Sequence, residues 1–463
     1  MKFISNRLSI SAISLVCSLN IFSNLAIAGD FVVRKNVVDL TSKEKTDLVD
    51  AIKTLKTTIP EGSEISVYDQ FVGVHLGAMS LARKNGAMEM PKFNQDFDIA
   101  HGNSAFLPWH REYILRFEKA LQSVNSNVTL PYWDWTQPEA VDTIFKKDFL
   151  GINGEGVTID IAGGIPGNIP SDIPDIDNVP PGNIPNNIPS DIPNNIAFGG
   201  GLVVEGGPVV SGNFSEAEGW VLNEKINIDR DTRQSLGTSL VRFLGQFPAS
   251  DYPLPQEQID KVLALDDYLL FRPALEGYIT VDEDGNVTRG GFTHNYMHSY
   301  VGGAIIDDSD LENIQFKGLG TMSNVPSSPY DPIFWLHHAN VDRIWAEWQE
   351  NGHSGTEYYP ESGQPEGHNL NDKMWPWDGG KLLAETEDLQ GLLSLLPEFE
   401  PGDVIRPIDV LDHTKLGYNY DTLQNSPQPE KVPEPTSILA FTSIAALLAV
   451  AKKQRAVLAK HVR

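Results

Sequence analysis

The stretch Asp331-Pro-Ile-Phe-Trp-Leu-His-His338-Ala-Asn-Val-Asp342-Arg-Ile-Trp345 decides the reading of this chain. Asp331 can cap a helix and Pro332 suits its first turn, where the missing N–H costs nothing. A helix therefore runs through His338 and continues to Trp348. An earlier stretch has the same character: His101-Gly-Asn-Ser-Ala-Phe-Leu-Pro-Trp-His110-Arg-Glu. Beyond it, Tyr113, Ile114, Phe117 and Leu121 make one apolar stripe over His110 to Leu121. His294-Asn-Tyr-Met-His298 sets two imidazoles four residues apart, on one face if helical.

With His75, these residues form two triplets: His75, His101 and His110, then His294, His298 and His338. Imidazole nitrogen suits copper, zinc, iron or nickel. Three neutral nitrogens per site, without thiolate or carboxylate, predict a pair of metals with open positions. Asn295, not a glutamate, follows His294, so the stretch lacks the zinc-peptidase pattern, which argues against metal-assisted peptide hydrolysis. Taken alone, any one of these histidines is more ordinarily a satisfied core or surface residue. Helices presenting inward histidines are a known way for bundles to build dinuclear sites. The predicted fold is mainly α, a central four-helix bundle with few short strands. Thr41 to Leu55 opens with a capping pattern, and Tyr278 to Val281 is the chief strand signal.

At 463 residues, length alone suggests two or three domains. The triplets lie far apart and must meet, so one large domain spanning 29–422 is predicted. A net charge of −27 disfavours nucleic acid and anionic membrane surfaces as partners. The start has a secretory leader's form: Lys2 and Arg7, an apolar run to Leu25, then Ala26-Ile-Ala28. Cleavage after Ala28 would remove Cys17, the single cysteine, leaving no thiolate ligand. Export to the cell surface or medium is the expectation.

Residues 160–200 hold a low-complexity insert, with Ile-Pro recurring at 165, 169, 173, 184, 188 and 192. Proline removes donors and biases its predecessors to extended backbone, so neither helix nor paired strand is expected. A linker, 423–431, precedes a tail, 432–463. The tail joins Val432-Pro-Glu-Pro-Thr-Ser437, an apolar run to Ala451 and Lys452, Lys453 and Arg455. It resembles the bacterial PEP-CTERM sorting signal. That implies processing by an exosortase and only transient membrane contact through a short apolar helix.

The two histidine stretches, with Leu130-Pro-Tyr-Trp-Asp-Trp135, resemble the tyrosinase family of type-3 dicopper proteins. The resemblance runs from Arg34 to Asp421, apart from the insert. It implies two copper ions, one on His75, His101 and His110, the other on His294, His298 and His338. His337 matches the neighbouring histidine that the family does not use as a ligand. Arg34 and Tyr418-Asn-Tyr420 resemble the motif closing the family's catalytic domain, and Asp342 and Arg343 read as structural. The implied partners are O₂ and phenolic small molecules. The implied activity is hydroxylation of monophenols and oxidation of o-diphenols to o-quinones. Alternatives are a catechol or o-aminophenol oxidase without hydroxylation, or a haemocyanin-like O₂ carrier.

Glu276 and Asn295 match the family pair that holds a water for deprotonating a phenol. Here Glu276 stands eighteen positions before His294, with the acidic stretch Asp282-Glu-Asp-Gly285 between. Val325, thirteen positions before His338, matches the place where plant catechol oxidases carry a bulky aromatic gate, and implies an easier approach for substrate.

Overall fold

A computed structural model describes residues 31–80, 98–161, 202–229, 232–245, 253–282, 284–291, 293–307, 315–381 and 391–423. The expected leader, 1–28, and the expected tail, 432–463, lie outside these residues. So do the Ile-Pro-rich insert beyond its first two residues and the linker beyond Leu423.

The helices needed here are α1 (Ser42–Thr57), α2 (Val67–Ser80), α3 (Phe106–Val124), α4 (Pro138–Ile144), α5 (Gln256–Leu263), α6 (Tyr268–Glu276), α7 (His294–Gly302) and α8 (Ile333–Trp348). The strands are short: β1 (Val32–Arg34), β2 (Val157–Ile161), β3 (Leu202–Pro208), β4 (Val241–Arg242), β5 (Ile279–Val281), β6 (Val287–Arg289), β7 (Ala304–Asp307), β8 (Gln315–Gly318) and β9 (Tyr418–Tyr420). The mainly helical expectation holds. The chief strand signal resolves into β5, one residue shorter than read, paired antiparallel with β6.

Local chemistry explains the helix starts. Thr41 and Glu44 form a reciprocal capping box at α1. Asp331 Oδ1 accepts from the Ile333 N–H at 3.1 Å, as its position before Pro332 predicts. Helix α3 starts four residues earlier than the apolar stripe suggested, at Phe106, and places His110 in its second turn. Helices α3 and α8 pack together, and α1 lies against both α2 and α3. At the centre Phe117 stacks on Trp335, with centroids 3.6 Å apart and planes 6° from parallel. Phe71 and Tyr68 of α2 meet the same two rings edge-on. Such aromatic pairs add to area burial through ring quadrupoles.

The two ends of the domain close on α8. Strand β1 pairs parallel with β9, Arg34 opposite Tyr420. Asp342, one turn beyond His338, takes Arg111 Nε on one carboxylate oxygen at 2.5 Å. Its other oxygen accepts from the Tyr418 and Tyr420 hydroxyls, both at 2.6 Å, and from Arg34 Nη1 at 3.2 Å. Arg34 also donates to Glu118 of α3 at 2.7 Å. All these groups are buried. Despite burial, the arginines hold the Asp342 carboxyl below its ordinary range. Removing one member leaves buried charge uncompensated. Asp342→Ala should therefore cost about 3–5 kcal/mol in denaturant unfolding. A loss below about 1 kcal/mol would show that the network is dispensable.

Candidate metal centre

Each histidine of the first triplet comes from a different piece of chain. His75 lies on α2, His101 on the loop before α3 and His110 on α3. Their ring centroids are 4.8–5.7 Å apart, and all three are buried. His75 Nδ1 faces the Pro326 carbonyl at 3.0 Å, and His110 Nδ1 the Phe106 carbonyl at 2.8 Å. His101 Nδ1 faces Asp98 Oδ1 at 3.4 Å. A carbonyl only accepts, so His75 and His110 carry their proton on Nδ1. The Nε2 atoms of His75, His101 and His110 are buried and have no protein partner.

The second triplet converges more tightly. His294 and His298 sit one turn apart on α7, and His338 faces them from α8. His294 Nε2 is 3.2 Å from His298 Nε2 and 3.3 Å from His338 Nε2. His298 Nδ1 donates to the Met322 carbonyl at 2.8 Å. His294 Nδ1 lies 3.1 Å from Asn295 Oδ1 and 3.3 Å from the Glu276 carbonyl. Both rings thus hold their proton on Nδ1 and turn bare Nε2 lone pairs toward each other. Such an arrangement is repulsive unless a cation lies between. His338 Nδ1 has no partner.

The half-sites share one chamber. His110 stacks on His338 at 4.2 Å with 10° between planes, and His101 lies 6.1 Å from His294. Phe334 packs on His75 and His338, and Phe106 on His110 and His294, giving apolar walls. His337 also belongs to the second cluster in space. It stacks on His294 at 4.9 Å and 18°, outside the short Nε2 contacts just given. Burial, reinforced by neighbouring imidazoles, pushes His75, His110, His294 and His338 well below the usual histidine range. His298 falls to about 4, chiefly through burial. Neutral nitrogen is the form a metal needs. These two buried groups fit a binuclear copper site.

The span between Glu276 and His294 is a hairpin. Strands β5 and β6 pair Ile279 with Arg289, and the chain returns at Gly291 beside Gly277. Gly277 has φ +98°, and a Cβ there would stand 3.1 Å from Asn295, so the neck needs glycine. The β5–β6 pairing closes this span on itself, and Glu276 comes to lie beside His294. Glu276 is fully buried, not a solvent-facing helix end. Its Oε1 accepts from the Gly102 N–H at 2.7 Å, and its Oε2 pairs with Arg272. Burial pushes this carboxyl up, against the opposing pull of Arg272. Val325 is half-buried, next to the Pro326 whose carbonyl receives His75.

Sequence reading missed the carbonyl holders Phe106, Met322 and Pro326, and also Arg272. A backbone acceptor leaves no mark in residue type. Arg272 did leave one, as an arginine one helical turn before Glu276.

The model of the common central domain of tyrosinase matches residues 65–351. The chain belongs to the tyrosinase family. A tyrosinase from Streptomyces antibioticus is 30% identical over 357 residues, covering 75% of this chain and 93% of that protein. The tyrosinase of Streptomyces glaucescens is 29% identical over 405 residues, 84% of this chain and 99% of that one. Among solved structures, a polyphenol oxidase variant from Thermothelomyces thermophila aligns with a TM-score of 0.49 at 21% identity, covering 84% of this chain and 88% of that one. The tyrosinase family is a family of copper oxidoreductases, which agrees with the two nitrogen clusters.

The histidines make stability depend on pH. Their folded pKa values are lowered, so between those values and about 6.5 the unfolded chain binds more protons. Stability then falls as pH falls through this window. Denaturant unfolding of metal-free protein should show lower stability at pH 5.5 than at pH 7. Equal stability at both would mean that these imidazoles are not held neutral.

Proposed function

We propose that this protein is a phenol oxidase that hydroxylates monophenols and oxidises o-diphenols to o-quinones with O₂. In this reading His75, His101 and His110 hold one copper, and His294, His298 and His338 the other. The supporting observation is the convergence of buried Nε2 atoms whose rings are oriented through Nδ1. When bound, the copper pair would relay electrons from the phenolic substrate to O₂. The chain's own residues orient six imidazoles and exclude water with the walls of Phe106 and Phe334. Val325 flanks the approach for the phenol ring.

Hydroxylation needs a phenolate, and a free phenol has a pKa of about 10. We assign Glu276 and Asn295 to holding the water that takes this proton. A carboxylate has roughly four acceptor sites, and Gly102 and Arg272 occupy two. We further propose export, with leader cleavage after Ala28 and removal of the tail near Pro433-Glu-Pro435. Among the described residues no helix is long and apolar enough to cross a membrane.

Oxygen uptake by copper-loaded protein on a monophenol and on the matching diphenol tests the activity. Turnover of the diphenol alone would move the reading to a catechol oxidase. His110→Ala and His298→Ala should each lower bound copper from two to one per chain and abolish both activities. Zinc in place of copper with turnover intact would refute the dicopper assignment. At equal copper loading, Glu276→Gln should slow hydroxylation by about 10²–10⁴-fold and diphenol oxidation less. Equal losses would indicate damage to the metal site. Mass spectrometry of secreted protein should find neither leader nor tail, and an intact tail would count against processing.

A further inference from the structure

Helix α6 grips the His101 loop at two points. The Tyr268 hydroxyl at its start donates to the Ser104 carbonyl at 2.6 Å. Glu276 at its end accepts the Gly102 N–H at 2.7 Å, one residue from His101. The carbonyl of Glu276 lies 3.3 Å from His294 Nδ1. One residue thus reaches a histidine of the second half-site through its backbone and the first half-site's loop through its carboxylate.

That carboxylate is completely buried, and an isolated buried charge is expensive. Arg272 makes its position tenable. Its Nη1 pairs with Glu276 Oε2 across one helical turn, and its side chain is only 11% exposed. A charge-assisted bond from the largely covered guanidinium to the buried carboxylate fixes the carboxylate's rotamer, and so the placing of Oε1. Asp98 also anchors the loop, accepting the Ala100 and His101 N–H groups at 3.0 and 2.8 Å. Asp98 stands on the same stretch of chain, however, and cannot by itself set the loop's place relative to α7.

We propose that Arg272 is a positioning residue for the first half-site, fastening the His101 loop to α6 through the Glu276 carboxylate and so raising that half-site's affinity for copper. The proposal rests on the dicopper reading. Partners that orient ligands typically contribute 10- to 100-fold in metal affinity.

The test is anaerobic titration of the metal-free full chain with Cu(I) against a competing chelator, with circular dichroism to match the folds. The unsubstituted protein should take up two ions. In a His298→Ala background, which isolates the first half-site, Arg272→Met should weaken binding by about 10- to 100-fold. Arg272→Lys should recover most of that loss. In a His110→Ala background, which isolates the second half-site, Arg272→Met should change little. Unchanged affinity in the His298→Ala background overturns the proposal, as does equal weakening in both backgrounds, which would mean general loosening. Failure of the unsubstituted protein to bind two ions overturns the dicopper reading and this proposal with it.

Discussion

Burying six imidazoles in one chamber imposes a single demand, that each ring point its Nε2 inward. At His75, His110 and His298 the fold meets it with hydrogen bonds at the opposite nitrogen. Carbonyls of Pro326, Phe106 and Met322 receive His75, His110 and His298. Pro326 and Met322 belong to one connection between α7 and α8, so this segment steadies a ring from each triplet. The cost of burying polar rings is thereby offset at Nδ1 while Nε2 is kept open. The short helical turns before α8 are thus part of the centre, although they contribute no histidine to it.

Three of the four helices that present the rings were legible in the residues, whereas α2, which carries His75, was not. Pro332 and Asp331 mark the start of α8, the stripe from Tyr113 to Leu121 marks α3, and the one-turn spacing of His294 and His298 marks α7. All three rest on local chemistry that a sequence carries. His101 was identified through its motif, but its loop is placed by contacts from remote chain. Tyr268, Glu276 and Asp98 hold it, and only Asp98 is close in sequence. The β5–β6 pairing was likewise half-legible. Its first strand could be read, whereas the close return of Gly291 to Gly277 depends on register that composition does not encode.

Asp342 shows how the same helix serves two tasks. One turn separates it from His338, so α8 presents an imidazole to the buried histidine cluster and, one turn on, the anchor of both domain ends. The arginines Arg34 and Arg111 come from chain segments distant from each other, and Arg111 follows His110 directly. Order at the β1–β9 seam is therefore mechanically continuous with order at the centre. The stacked pair His110 and His338 lies on the two helices that this network joins.

The hairpin between α6 and α7 has a further consequence. Its neck is fixed by Gly277 and Gly291, and its tip is stabilised internally, with Asp282 accepting N–H groups of Asp284 and Asn286. Neck and tip are therefore mechanically separate. Added length at the tip enlarges a closed loop at a small entropic cost and leaves the two ends where they were. Residues 284–286 are thus a natural splice point, where a peptide tag or a surface-attachment sequence can be carried without disturbing the chemistry a few residues away.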